Sequence, residues 1–149
     1  MAENLNIKTD GSWCYDNRES NCDKYGRLYN WNAAMRACPS GWHLPARQEW
    51  NDLVKAAGGN KAGKALKSSS GWSRGGNGAD TYGFSALPGG LRGYSVGSFG
   101  DAGDYGIWWT ASANGSGFAY YRIMYYNYDD VGENYDDKDY GFSVRCVLD

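Results

Sequence analysis

Hydrophobic positions fall into two rhythms along this chain, separated by a long stretch that has neither. Trp31, Ala34, Met35 and Cys38 recur at i, i+3, i+4 and i+7, the spacing of one helical face. Pro39-Ser40-Gly41 ends that helix, and Trp42-His43-Leu44-Pro45 follows as a short extended piece. After Pro45 the same spacing returns at Trp50, Leu53, Val54 and Ala57, with Gly58-Gly59 as the stop. Residues 1–29 read as strand and loop, with 11–29 a turn-rich segment. From 60 to about 106 glycines punctuate an irregular stretch, apart from a helical turn near Ala62–Leu66. Short extended runs then appear at 106–112, 118–127 and 140–147, spaced like neighbouring antiparallel strands joined by turns. Two helices beside short strands, without a linker or low-complexity tail, predict one α+β domain over 1–149 with its core in 12–147.

Alternation sharpens the picture in the second run. Tyr120, Arg122, Met124 and Tyr126 share one face of a strand there, and Tyr121, Ile123 and Tyr125 the other. Tyr121 and Tyr126 are the tyrosines expected to pack on the core. Beyond Asn127 the alternation breaks, and Asp-, Asn- and Gly-rich loops carrying Tyr128, Tyr135 and Tyr140 are expected. Tyrosine has few torsions to freeze, a large ring and a hydroxyl that hydrogen-bonds; with adaptable short polar residues it suits a binding surface better than chemistry.

The genetic code bears on the same segment. Changing the adenines of an Asn codon singly yields Asp, Tyr, His, Ser, Thr or Ile. From Tyr125 to Tyr140 every residue except Val131, Gly132, Glu133 and Lys138 is Asn, Asp or Tyr. An asparagine-rich template substituted at first-position adenines would have this composition.

Composition narrows the function classes. The net charge of -2 and the lack of a basic, aromatic-interleaved run argue against nucleic acid as a partner. No apolar run approaches the ~18 residues of a spanning helix, so direct membrane insertion is not expected. With 16 % aromatics and 22 glycines the core must be built from rings. Four cysteines permit three pairings and none forms CxxC. Cys14 and Cys22 are close enough to bridge a local loop; Cys38 and Cys146 would then tie the early helix to the last strand. Such a bridge predicts an exported protein at the cell surface or outside the cell, oxidised after export. The polar sequence after Met1 holds no secretory leader, so an export signal would lie outside this sequence.

Catalytic motifs are thin. His43, the only histidine, has no His or Cys at metal-ligand spacing and reads as a hydrogen-bonded structural imidazole. Gly58, Gly63 and Lys64 have phosphate-loop spacing, but Ala65 stands where a magnesium-binding Ser or Thr belongs, so a helix cap before a short helix is expected. No GxSxG elbow accompanies a Ser/His/Asp set, and nothing singles out two of the 17 acidic residues as a glycosidase pair. Calcium is the one cofactor the loops bring to mind, at Asp16, Asn17 and Glu19 or at Asp136, Asp137 and Asp139. Neither has the EF-hand pattern, and solvated acidic loops without a metal are expected. Asn114-Gly115-Ser116 is a glycosylation sequon with meaning only in a eukaryotic secretory route.

Five segments in order, WCYDN…NCDKYGRLYNW, ACPSGWHLPARQEW, YGFSALPGGLR, GIWWTAS and YGFSVRCV, resemble the Fibrobacter succinogenes major paralogous domain over about residues 12–147. The resemblance implies an exported bacterial protein with a C-type lectin-like fold. That fold also hosts the variable proteins of diversity-generating retroelements, in which adenine-directed mutagenesis rewrites exposed residues near the C-terminus. Residues 118–142 are similar in place and composition to such a variable region. On that analogy the ligand-facing positions are Tyr125, Asn127, Tyr128, Asp129 and Asp130, then Asn134, Tyr135, Asp136, Asp137, Asp139 and Tyr140. The fold is similar, too, to that of formylglycine-generating enzymes, whose reactive cysteines do not match four paired ones.

The expectation is therefore a non-enzymatic recognition module that binds a cell-surface protein or glycan through these C-terminal residues. The alternative is a carbohydrate-binding module of fixed specificity on exposed Trp72, Trp108 and Trp109, with calcium.

Overall fold

Trp108 and Trp109 are adjacent, fully buried, and point into different cores. The computed structural model describes residues 1–149. Its elements run β1 (Ser12–Trp13), α1 (Glu19–Tyr25), β2 (Leu28–Tyr29), α2 (Trp31–Ala37), β3 (Trp42–His43), α3 (Arg47–Ala56) and α4 (Ala62–Leu66). Then come β4 (Leu91–Arg92), β5 (Phe99–Gly100), β6 (Tyr105–Asn114), β7 (Phe118–Tyr125), β8 (Gly132–Asp137) and β9 (Val147–Leu148). β6, β7 and β8 form an antiparallel sheet in that order, while β1–β2, β3–β9 and β4–β5 are separate antiparallel pairs.

The alternation of strand side chains divides the interior at this sheet. On one side Trp109, Ile107 and Ile123 pack with Tyr29, Ala33, Ala34, Phe142 and Val144. On the other, Trp108 and Met124 pack with Trp50, Leu66, Trp72 and Val131. Each indole of the pair finds an acceptor, Trp108 Nε1 donating to Asn4 Oδ1 at 2.9 Å and Trp109 Nε1 to the Tyr29 carbonyl at 2.7 Å.

Both predicted helices form. α2 starts at Asn30, whose side chain accepts from the Ala33 amide at 2.8 Å, the usual work of an N-cap. Its buried face is Ala33, Ala34 and Ala37, and Met35, expected inside, is 44 % exposed. The three alanines pack in one cluster with the bulky Tyr29 and Trp109, and seating that face turns Met35 outward. α3 buries Trp50 and is followed by Gly58 at φ 110°, a conformation glycine adopts freely.

Three expectations need correction. Residues 19–25, read as loop, form α1; its only inward residues are Cys22 and Tyr25, too few for a periodic signal. Residues 140–147 do not make one strand. Gly141, Phe142 and Ser143 bridge in turn to Arg92, Tyr29 and Trp108, so no partner pairs with more than one of them, and only Val147–Leu148 pairs regularly, with β3. The core also begins before residue 12. Leu5 is buried and its amide donates to the Val144 carbonyl; Asn4 accepts from Trp108 and Arg145 and donates to the Tyr25 carbonyl.

The cysteines pair Cys14–Cys22 and Cys38–Cys146, with none free. The second bridge joins the end of α2 to the segment entering β9. No helix is long and apolar enough to cross a membrane.

Candidate functional site

β7 carries tyrosines on both faces of the sheet, and its neighbours decide what each can do. On the Trp109 face, Tyr121 packs its ring 4.9 Å from Phe142, and Phe142 stacks on Tyr140 at 5.5 Å. Tyr140 in turn meets Tyr94, from the β4–β5 connection, at 5.1 Å. Further along β7, Tyr125 sits between Tyr105 at 4.8 Å and Tyr128 at 5.6 Å, both edge to face. Asn134 and Asp136 of β8 lie opposite Tyr121 and Ala119 on this same face. The result is a surface of six tyrosines (94, 105, 121, 125, 128 and 140) edged by short polar side chains.

Burial and neighbouring groups raise the pKa of three of these phenols, Tyr121, Tyr125 and Tyr140. Burial, then the nearby Asp136, Tyr125 and Tyr140, push the Tyr121 hydroxyl up to about 12. Burial, followed by Asp136 and Tyr94, raises Tyr140, and burial with Tyr105 and Tyr128 raises Tyr125. Tyr29 donates to the Ile7 carbonyl and Tyr126 accepts from Arg74, but none of the six hydroxyls has an intramolecular hydrogen bond. A partner docking here meets apolar ring faces together with uncommitted donors, the combination that makes tyrosine common in binding loops.

Of the positions expected to face a ligand, Tyr125, Tyr128, Asp130, Asn134, Asp136 and Tyr140 come together at this surface. Asp137 and Asp139 lie at the turn that leads into Tyr140, where Asp137 accepts from the Asp139 amide at 2.9 Å. Tyr135 does not join them. It faces the other side of the sheet, against Phe118 at 6.1 Å and Tyr120 at 5.9 Å, and the Arg47 guanidinium lies 4.1 Å over Tyr120. Asn127 and Asp129 turn toward a separate pocket with Tyr126 and Lys67.

The expected loop at 128–140 is in part a strand. β8 is the free edge of the sheet, and its register points the amides of Glu133, Tyr135 and Asp137 away from β7. Asn134 Oδ1 accepts from the Tyr135 amide and Asp136 Oδ1 from the Asp137 amide, each at 2.9 Å. These side chains cover donors that an open edge would offer to another strand. Asn and Asp are poor strand formers, so their presence hid a strand they help to protect.

The turn between β7 and β8 is held from below. Lys67 is 1 % exposed, and its ammonium donates to the carbonyls of Tyr125 at 3.0 Å and Tyr128 at 2.8 Å. The Lys64 amide donates to the Asp129 carbonyl at 3.0 Å, and a Cβ on Gly63 would sit 2.2 Å from the Asp130 carbonyl oxygen. Backbone atoms therefore carry the attachment, and the Asn127, Tyr128, Asp129 and Asp130 side chains stay exposed.

The four residues that interrupt the Asn/Asp/Tyr run have different work. Val131 is buried among Trp50, Trp108 and Met124. Gly132 lies where a Cβ would come within 3.0 Å of Ile123. Glu133 pairs with Arg122 and Arg47, linking β8 to the start of α3. Lys138 stacks 4.4 Å from the Trp31 ring and donates to the Ser116 carbonyl at 2.9 Å.

Burial and geometry place the remaining candidates. Trp72, Trp108 and Trp109 are 5 %, 0 % and 0 % exposed, so none presents a sugar-stacking face; in a chain poor in aliphatics they are the core. The carboxylates of Asp136, Asp137 and Asp139 do not converge. The one convergent group of ligating type is Cys14, Glu19 and Cys22, whose sulfurs are joined as a disulfide. His43 bonds Asp149 Oδ1 at 2.7 Å and Glu49 Oε1 at 2.9 Å, and these bonds, Asp149 first, raise its pKa.

A family model, the Fibrobacter succinogenes major domain, matches residues 1–148. The chain belongs to that family. No curated protein and no solved structure matches it. In this Fibrobacter succinogenes major domain, Tyr121 packs on the core as expected while bordering the surface; sequence reasoning missed Tyr94 and Tyr105 as surface members and Lys67 as the anchor of the turn. Tyr94, in a glycine-flanked stretch of the irregular middle, had composition as its only signal. Lys67 gave none, because a lysine beyond a short helix reads as solvated until the turn it holds is placed.

Proposed function

We infer that this domain is a non-enzymatic recognition module which binds a protein or glycan through the tyrosine surface on the Trp109 face of its sheet. One observation carries this reading: between Tyr125 and Tyr140, the residues outside the Asn/Asp/Tyr set are those with interior or bracing tasks. A surface that changes while its scaffold stays fixed would divide its residues in this way. The reading extends to adenine-directed diversification of the segment and to a C-type lectin-like topology. The topology is supported by the Cys38–Cys146 bridge and by the β3–β9 pairing, which bring the early and late parts of the chain together. Export to the cell surface is supported by two disulfides with no free thiol.

The test is deep sequencing of the gene's 3′ end across a population of the source organism. Substitutions concentrated at adenines of the codons for Tyr125, Asn127, Tyr128, Asp129, Asp130, Asn134, Tyr135, Asp136, Asp137, Asp139 and Tyr140, with Val131, Gly132, Glu133 and Lys138 constant, are expected. Changes spread evenly over both sets, without base preference, would remove diversification and leave a surface of fixed specificity.

A further inference from the structure

On the opposite side of the 125–130 turn from the tyrosines lies a pocket of about 240 Å³ with a different chemistry. Lys64, Lys67 and Arg74 line it, against the single carboxylate of Asp129. None of the three cations takes part in an ion pair; the salt bridges of this protein use Arg27, His43, Arg47 and Arg122. Three cations thus gather around one depression that holds a single carboxylate. Like charges held together raise the free energy of the empty site and lower it again when a counter-charge enters.

The cations are also held in place. Lys67 is fixed by its two carbonyl bonds, with its ammonium 5.2 Å over the Trp72 ring, so it acts on the pocket through its charge. Lys64 donates to the Asn77 carbonyl at 2.9 Å. Arg74 has φ 51°, a left-handed conformation uncommon for a side-chain-bearing residue, and its guanidinium lies 5.2 Å over the Tyr126 ring while bonding the Tyr126 hydroxyl at 3.1 Å. That bond uses one of five guanidinium donors. Asn77 accepts from the Trp72 amide through Oδ1, which leaves its Nδ2 as a further donor at the pocket.

The geometry points to an oxyanion-binding subsite, formed by Lys64, Lys67, Arg74 and Asn77, for a sulfate, phosphate or carboxylate group carried by a ligand. The volume lies below the ~300 Å³ at which pockets for whole drug-sized ligands begin, and suits one charged group. Asn127 lines the pocket and sits beside Tyr128 in the turn, so one ligand can reach both faces of the loop. The subsite goes beyond the tyrosine reading and its test is independent of it. Asp129 opposes the anion, so the residue at 129 sets the strength of the site: Asp weakens it and Asn, its uncharged isostere, strengthens it.

The experiment is an amide NMR titration of the full chain with sodium sulfate, inorganic phosphate and sodium glucuronate in turn, ionic strength being held constant with sodium chloride. Saturable shifts confined to Gly75, Gly76, Asn77 and Asn127 are expected for at least one of them. Response to sulfate and phosphate alone identifies a tetrahedral anion; response to glucuronate identifies a carboxylate. Lys64→Gln with Arg74→Gln should weaken binding about tenfold or more, both side chains being exposed and dispensable to the core. Asp129→Asn should tighten it, and Tyr128→Ser should leave it unchanged. Linear, unsaturable shifts with all three anions, or equal affinity in the Lys64/Arg74 double variant, would overturn the proposal. Loss in Tyr128→Ser would instead move the anion to the tyrosine surface and overturn the assignment to this pocket.

Discussion

Replacing Lys67 by methionine tests whether the candidate surface is held by its scaffold. The substitution keeps the length of the side chain and removes the ammonium that bonds the carbonyls of Tyr125 and Tyr128. A hydrogen bond to a charged group contributes ~1.5–3 kcal/mol, so two give roughly 3–6 kcal/mol before offsets. Against this stands the cost of burying an ammonium, several kcal/mol, which methionine does not incur. The Tyr125 carbonyl also keeps a second donor, the Tyr128 amide. A net loss of about 1–3 kcal/mol follows, or ~3–10 °C in melting temperature for a chain of this size.

The more telling readout is local. The Lys64 amide bonds the Asp129 carbonyl, and the Tyr126 amide the Asp104 carbonyl. Hydrogen exchange at both should accelerate more in Lys67→Met than at the Trp108 and Met124 amides in the centre of the sheet. An unchanged melting temperature would refute the anchoring role. Uniform acceleration across the sheet would mean that the lysine supports the core as a whole and does not hold the turn.

Tyr121→Ser and Tyr128→Ser should separate packing from display: the half-buried Tyr121 should cost ~2 kcal/mol in denaturant unfolding, whereas Tyr128, 56 % exposed, should cost less than ~1 kcal/mol. Equal losses would mean that both rings are core. Opening the Cys38–Cys146 bridge, which spans 108 residues, by a double alanine substitution should cost ~4–5 kcal/mol in the chain-entropy model, seen as a large fall in the urea midpoint. A loss under about 1 kcal/mol would show that β3–β9 pairing already closes the loop. The raised pKa of His43 stabilises the fold fully below its unfolded value of ~6.5, and this contribution disappears as the pH rises through the folded value. The melting-temperature gap between the parent and His43→Gln should therefore shrink from pH 6 to pH 9; a gap that widens would contradict the clamp formed with Asp149 and Glu49.

Features set by local pattern were legible in the sequence. The α2 and α3 helices, the Gly58 stop, the α+β class and both cysteine pairings follow from spacing and punctuation, β6 from its extended run between turns, and β7 from alternation. Features set by tertiary partners were not. β8 is composed of Gly, Glu, Asn, Tyr and Asp, and only its register on β7 makes it a strand. Residues 140–147 alternate like a strand, but 141–143 alone bridge to three different partners. Part of the candidate site was visible as a density of tyrosines, yet the face each ring occupies depended on the register. That is why Tyr135 separates from Tyr125 and Tyr140, and why Tyr94, almost fifty residues upstream of Tyr140, joins them.

Edge protection limits which positions of the segment are free to change. Tyr128, Asp130 and Tyr140 are held through backbone or ring faces, so Asn, Asp or Tyr could stand at 128 and 130 without disturbing an amide. At 134 and 136 the side-chain oxygen covers an outward amide of β8. Asn and Asp both supply that oxygen, so exchanging them leaves the edge closed while altering surface charge. A tyrosine there has no acceptor within reach of the next amide, and would leave a donor open on a strand whose neighbouring Glu133 amide already faces outward. Variation at these two positions should then be confined to side chains that cap. The same three-letter alphabet would act as a free choice of contact on the turn and as a constrained choice on the edge.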